Sequence, residues 1–223
     1  MRLDALELRF GSRELALRDT ARFARDATGF RAEDFSLVSS EGALVELGGV
    51  VPDTGQARFD VAVRGIRLEN LLELVGNPHD IRGGLTFGAT VRGTVGEPVW
   101  EAHLDVAEPS VSGVGYDALA ADFGYAGRRL TIGAAISSAG LELGRVDGYV
   151  RADLALREVE RRLLPDPLNL DVVVDSMPLN AIELGVSTVR DVSGYARGRV
   201  QITGEPSALR FDGDTQVHRA AMY

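Results

Sequence analysis

Apolar and polar residues alternate with a period of two along most of this chain, which is typical of strands that bury one face. Residues 146–156 show the alternation clearly. Val150 and Leu154 fall on one side of an extended chain, while Asp147 and Asp153 fall on the other. The pattern predicts a strand over 146–156 with one apolar face.

The same alternation recurs at residues 85–95, 119–125 and 130–136, and glycine-containing turns separate such segments. Ser40-Glu41-Gly42 and Ala139-Gly140 are turns of this kind, because glycine accepts backbone angles that other residues avoid. The sequence therefore predicts an all-β protein built from many short antiparallel strands.

Helical periodicity is rare in the chain. Residues 67–76 place Leu68, Leu71 and further apolar residues three and four apart, which predicts a helix of two turns. Residues 156–164 fit either a short exposed helix or a polar hairpin loop that ends at prolines. Residues 12–27 fit helix and strand about equally, and we favour strand from the strands around them.

An internal repeat organises the chain from residue 59 onward. Phe59-Asp60-Val61-Ala62-Val63 is echoed by Leu170-Asp171-Val172-Val173-Val174, 111 residues later. Each copy then runs through an apolar patch with an asparagine (in the second copy Leu179-Asn180-Ala181-Ile182) to a Gly-Glu-Pro tripeptide, at Gly96-Glu97-Pro98 and again 108 residues later. Proline fixes its own φ and donates no backbone hydrogen bond, so it marks the junction of two strands.

The repeat sets the expected domain organisation. We predict one continuous repeat region over residues 1–223, with units at about 59–169 and 170–223, the second of them incomplete. The expected protein is longer than this chain, which would be a middle piece of it.

Composition narrows the possible functions. A formal net charge of −9 argues against nucleic acid as a partner. The absence of cysteine excludes disulfides, thiolate catalysis and cysteine-based metal sites. The 26 glycines and the 6% aromatic content favour strands and turns over a helical bundle.

No motif in the chain carries recognisable catalytic chemistry. The three histidines, His79, His103 and His218, are widely separated and form no metal-binding spacing, so we interpret them as surface residues. Nucleophile elbows, phosphate-binding loops and dinucleotide-binding glycine motifs are all missing from the sequence. We therefore expect no catalytic residue, no metal and no cofactor, and we do not expect an enzyme.

The strand units resemble a known family. Residues 88–98 (GATVRGTVGEP) and 194–206 (GYARGRVQITGEP) follow a pattern in which glycines punctuate a strand that ends at a proline. In residues 111–130 a glycine-tyrosine pair introduces a strand, and residues 140–144 (GLELG) add a further stretch of the same style. Together they are similar to the repeats of the AsmA-like and TamB-like proteins of Gram-negative cell envelopes, over most of the chain from about Phe35 onward.

The resemblance implies a fold and a function. The fold would be a long antiparallel sheet curled into a U-shaped apolar trough (a β-taco), with one or two short helices. Family members are anchored in the inner membrane and are thought to span the periplasm. They conduct phospholipids between the inner and outer membranes or assist assembly of outer-membrane proteins, so the expected partners are phospholipid acyl chains and outer-membrane assembly proteins.

The apolar positions of the predicted strands are the candidate lining of this trough, and Gly88, Gly93 and Gly198 are expected to leave room on the same face. The alternative is an ordinary closed core, as in an adhesin-like β-solenoid with a purely structural role. The candidate lining residues are Val61, Val63, Leu85, Phe87, Val91, Leu104, Val106, Phe123, Leu130, Ile132, Val150, Leu154, Val172, Val174, Val200, Ile202 and Phe211.

Overall fold

The computed structural model describes residues 1–10, 13–74, 81–111, 113–178 and 192–222. These residues form sixteen β-strands and one short α-helix. The elements are β1 (Arg2–Leu3), β2 (Glu7–Phe10), β3 (Arg13–Leu17), β4 (Ala21–Asp26), β5 (Gly29–Val38), β6 (Leu44–Pro52), β7 (Ala57–Arg67), α1 (Leu68–Leu74), β8 (Ile81–Gly93), β9 (Pro98–Val111), β10 (Val114–Gly115), β11 (Ala118–Ala126), β12 (Arg129–Ser138), β13 (Leu141–Arg151), β14 (Leu168–Pro178), β15 (Val192–Glu205) and β16 (Ala208–Met222).

All sixteen strands belong to one antiparallel sheet that does not close on itself. From β4 to β16 the strands follow one another across the sheet in chain order, apart from the short β10, which pairs with the end of β9. The connections therefore alternate between two long rims. We call the rim that carries the β8–β9 and β13–β14 connections the first rim, and the rim that carries α1 the second rim.

The sheet is curled, and irregular pairing near the second rim accompanies the curl. The register shifts between Val63 and Ile66 on β7, and again between Val174 and Met177 on β14. Other shifts lie on β5, β8, β13 and β15. A bulge bends its strand and increases the local twist, so bulges repeated across neighbouring strands bend the sheet as a whole.

A compact core lies at the N-terminal end of the sheet. Leu15 of the β2–β3 hairpin packs with Leu37, Ala43 and Ile66, and Leu71 of α1 packs against this cluster. Leu15 and Leu37 are each only 2% exposed. The hairpin and α1 thus cover the apolar side of the sheet at this end, at the second rim.

The predicted fold class is confirmed, and its single helix lies where the periodicity of residues 67–76 placed it. Residues 13–17 and 21–26 are strands, as we favoured. The predicted strand over 146–156 is too long, because β13 ends at Arg151. Residues 156–164 contain no helix and belong to a loop with one isolated bridge, between Ala152 and Leu163.

The two Gly-Glu-Pro tripeptides lie in hairpins at the same rim but occupy different places in them. Pro98 begins β9 and is opposite Gly93, so a loop of four residues precedes it. Pro206 lies inside the tighter turn between β15 and β16. The second apolar patch, at residues 179–182, lies outside the described residues, so the proposed repeat units stay a prediction.

The expectation that Gly88, Gly93 and Gly198 leave room on the apolar face is wrong. Gly88 alternates with Phe87 and Ala89 and lies on the polar face, where a Cβ would meet no atom within 4 Å. Gly93 lies at the first rim, where a Cβ would come within 2.6 Å of the Glu97 carbonyl oxygen. A Cβ on Gly198 would overlap the backbone of β16 at Asp214. These glycines therefore permit turns and close backbone approach, and do not widen a channel.

Gly148, in the middle of β13, allows a direct test of this role. Its φ is +151°, and a Cβ there would overlap the carbonyl oxygen of Asn169 on β14. We expect Gly148→Ala to lower the free energy of unfolding by about 2 kcal/mol or more, because backbone strain and the steric overlap add. Urea unfolding followed by circular dichroism measures the change.

Gly88→Ala is the matched control, since it makes the same substitution within a strand at an open position. It should change the free energy of unfolding by less than about 1 kcal/mol, in the stabilising direction. Equal effects of the two substitutions would contradict the assignment of Gly148 to a close backbone contact.

Candidate functional site

Two unbroken apolar rows cross the sheet from β5 to β16. Residues that face each other in neighbouring strands share a face, so the pairing register places these side chains together. The first row is Phe35, Leu47, Val61, Ala89, Ala102, Phe123, Ile132, Gly148, Leu170, Ile202 and Phe211. The second row is Leu37, Val45, Val63, Phe87, Leu104, Ala121, Ala134, Val146, Val172, Val200 and Gly213. With strands about 4.8 Å apart, each row is roughly 50 Å long.

The register places all the candidate lining residues except Leu154 on this apolar face. Leu85, Val91 and Val106 are buried, Phe211 is 67% exposed, and the other twelve are half-buried. In the described part of the chain, extensive contacts join only neighbouring strands and α1 with β2, β7 and β8. Beyond the β2–β3 hairpin and α1 at the N-terminal end, the face therefore has no second sheet or helical layer over it among these residues.

The apolar face is the inner side of the curl. Phe30 on β5 and Phe59 on β7 belong to strands that are separated by β6, yet their ring centroids are 6.2 Å apart. Gly49 of β6 lies opposite Phe59 and has no side chain to separate them. Contact across an intervening strand requires side chains that lean toward each other, as they do on a concave surface.

Leu154 does not lie on the sheet, because β13 has already ended at Arg151. It belongs to a segment that we call the strap, residues 152–167, which connects β13 to β14. The strap crosses the apolar face at the first rim. The Leu154 amide donates to the Tyr125 hydroxyl of β11 at 2.9 Å, and the Leu156 amide donates to the Val95 carbonyl beyond β8 at 2.8 Å.

Asp153 anchors the strap to the rim. The alternation places it on the solvent face, but it is only 8% exposed, so this expectation is wrong. Its carboxylate pairs with Arg128 of the β11–β12 turn at 3.1 Å and accepts the Ala155 amide at 3.1 Å. A buried carboxylate needs such partners, because desolvation without them is costly.

Sequence reasoning missed Trp100 and Tyr125, which lie beside each other on the apolar face at the first rim. Their ring centroids are 6.4 Å apart in an edge-to-face arrangement, and Tyr125 is only 4% exposed. The sequence did contain a signal for Trp100. It is the one tryptophan of the chain, and it alternates with Ala102 and Leu104 just after a Gly-Glu-Pro tripeptide, which places it on the apolar face. The Trp100 Nε1–H is buried and has no hydrogen-bond partner among the described residues.

The opposite face of the sheet is polar and rich in ion pairs. Arg145 pairs with Asp147 at 2.7 Å, Arg197 pairs with Asp175 at 3.1 Å, and Arg199 pairs with Asp171. Each exposed pair contributes little to stability, typically about 0–1 kcal/mol. Their placement shows which face meets water, and the sheet is therefore amphipathic across its whole width.

Of the three histidines, His103 makes the most polar contacts in the described structure. Asp122 accepts from its Nδ1 at 2.6 Å and Asp105 lies 2.8 Å from its Nε2, on the polar face. The hydrogen bond to Asp122 raises the pKa of His103 above its ordinary value, and the charge of Asp105 adds to this. His218 is exposed, whereas His79 lies outside the described residues.

The described residues contain no cluster of three or more histidine, aspartate or glutamate side chains arranged to hold a metal ion. Among the same residues, no helix has the length and the hydropathy that crossing a bilayer requires. No protein-family model, curated protein or solved structure matches this chain.

The contacts of His103 predict a pH dependence. Because folding raises the pKa of His103, the protonated imidazole stabilises the folded state. This stabilisation is complete below the unfolded pKa of about 6.5 and is lost as the pH rises through the higher pKa of the folded state. We expect Asp122→Asn to shift the His103 pKa downward toward its ordinary value. NMR titration of the imidazole Cε1–H signal measures this shift.

Asp147→Asn is the control for that titration, because its carboxylate pairs with Arg145 and not with His103. It should leave the His103 titration almost unchanged. An ordinary His103 pKa in the unsubstituted protein would show that the contacts with Asp122 and Asp105 do not persist in solution.

Proposed function

We propose that this chain is a non-enzymatic, lipid-conducting segment of a longer protein anchored in the inner membrane, and that the apolar face holds phospholipid acyl chains. On this proposal the protein spans the periplasm between inner and outer membranes, as the similarity of its repeats to AsmA-like and TamB-like proteins implies. Assistance to assembly of outer-membrane proteins is the other role that the resemblance suggests.

One observation supports lipid conduction above the rest: two continuous apolar rows cross eleven strands and are half-buried for most of their length. Soluble proteins rarely leave a contiguous apolar patch larger than a few hundred Å² without a binding role. A closed structural core, the alternative considered from the sequence, would bury these side chains. Of the side chains in the two rows, only those of Leu37 and Ala121 are buried.

The chemistry of an acyl chain fits such a surface. Each methylene removed from water stabilises the complex by about 0.8 kcal/mol, and the interaction has no directional requirement. A chain could therefore move along the rows without breaking any specific contact. The ion pairs of the opposite face would keep that face in water.

The direct test is to purify the protein from cells and identify bound lipid by extraction and mass spectrometry. We expect phospholipid in stoichiometric or greater amounts. A folded protein that carries no lipid and takes none from added vesicles would contradict the proposal.

Val172 and Val173 provide a matched pair of substitutions on β14. Val172 lies in the second apolar row, whereas Val173 is opposite Arg145 and Arg199 on the polar face. Val172→Asn should reduce bound lipid by roughly tenfold, because an amide desolvated against acyl chains costs about 1–3 kcal/mol. Val173→Asn, the same change on the same strand, should leave bound lipid almost unchanged. Equal lipid contents would contradict binding at this face.

A further inference from the structure

Three backbone amides of the strap and one ion pair attach it to the first rim beyond its own end of β13. The Leu154 amide donates to the Tyr125 hydroxyl, the Leu156 amide to the Val95 carbonyl and the Ala152 amide to the Arg128 carbonyl, and Asp153 pairs with the Arg128 guanidinium. The residues that it buries most deeply include Ala152 and Ala155, which have small side chains. An acyl chain in the same place would bury apolar area along its whole length, so lipid can compete with the strap for this surface.

The strap is braced internally. The Arg162 guanidinium donates to the carbonyl oxygens of Asp153, Ala155 and Arg157, so it joins the two arms of the loop. The Asp153 amide also donates to the Arg162 carbonyl at 2.8 Å. These bonds are made within the strap and do not involve the sheet. The segment can therefore lift as one unit on its connections to β13 and β14.

An unsatisfied polar group lies where the strap crosses. Trp100 is on β9. The neighbouring strand β11 carries the Tyr125 hydroxyl that accepts from the strap, and the other neighbour, β8, is followed by Val95, whose carbonyl also accepts from the strap. The buried Trp100 Nε1–H lacks an acceptor in the part of the chain that the structure describes. A buried donor without a partner is costly, and an incoming carbonyl or carboxylate oxygen would remove that cost. Lifting the strap also frees the Tyr125 hydroxyl from the Leu154 amide.

We propose that the strap is a movable cover over a polar subsite of the apolar face. When it lifts, the Trp100 Nε1–H and the Tyr125 hydroxyl bind the ester or carboxylate group of an acyl lipid, and the acyl chain extends along the apolar rows. The identity of this ligand depends on the proposed function, because only a lipid-binding face would present an acyl ester here.

The experiment uses Trp100 itself, since it is the only tryptophan of the chain. Phospholipids that carry bromine near the ester end or near the methyl end of the acyl chain quench tryptophan emission on contact. We expect the ester-end bromine to quench Trp100 more strongly. Arg128→Gln, which removes the ion pair with Asp153, should make the quenching several-fold faster.

A reversible lock tests the movement of the strap. The chain has no cysteine, so Val95→Cys with Leu156→Cys creates a single possible disulfide where the two backbones are hydrogen-bonded. Oxidation should abolish the quenching and reduction should restore it. Asp60→Cys with Thr90→Cys, a cross-strand pair on the polar face, is the control and should be insensitive to oxidation.

Lipid content measured by mass spectrometry separates the possible failures. Bound lipid with equal quenching in the locked and unlocked protein would overturn the movable strap and leave the proposed function intact. Stronger quenching by the methyl-end bromine would overturn the polar subsite. A protein that binds no lipid in either state would overturn the proposed function and the subsite with it.

Discussion

The fold depends on strand register, which determines the face on which each side chain lies. The period along a strand is two, so a slip of one residue would move all the apolar side chains of that strand to the polar face. Eleven strands in succession keep the two central rows apolar. From β7 onward the register shifts lie toward the second rim, beyond both rows, as between Val63 and Ile66 on β7. The bulges can therefore bend the sheet without interrupting the apolar surface.

The open face also needs an account of its stability, because a sheet normally packs its apolar side against another layer. In this sheet two features take the place of a second layer and reduce the exposure of the apolar face. Curvature brings side chains of non-adjacent strands together, as Phe30 and Phe59 show across Gly49. Local covers close the ends of strands, namely the β2–β3 hairpin with α1 at one rim and the strap at the other. Between these covers the rows stay half-buried, a level of burial intermediate between a solvated surface and a packed core.

The sequence was sufficient to predict what depends on local alternation. The strand class, the helix at 67–76 and the common face of Val61, Leu104 and Val200 all follow from period two or period 3.6 within short windows. Leu154 was misplaced because the alternation continues past the end of β13, and nothing local shows that the chain leaves the sheet there. Trp100 and Tyr125 became candidates only through the strap, whose path across the sheet is a tertiary contact. Gly198 was misinterpreted because the backbone that it approaches, at Asp214, lies on another strand.

The two local covers differ in chemistry, and the difference bears on what each can do. The N-terminal cover buries large aliphatic side chains such as Leu15 and Leu37 almost completely, so its removal would expose much apolar area. The strap buries Ala152 and Ala155 and is held to the rim by backbone bonds and one ion pair, and the nearby Trp100 N–H has no acceptor among the described residues. A cover of the first kind is part of the folded core. The hydrogen bonds that a cover of the second kind would lose on lifting belong to groups that water or a lipid ester can satisfy.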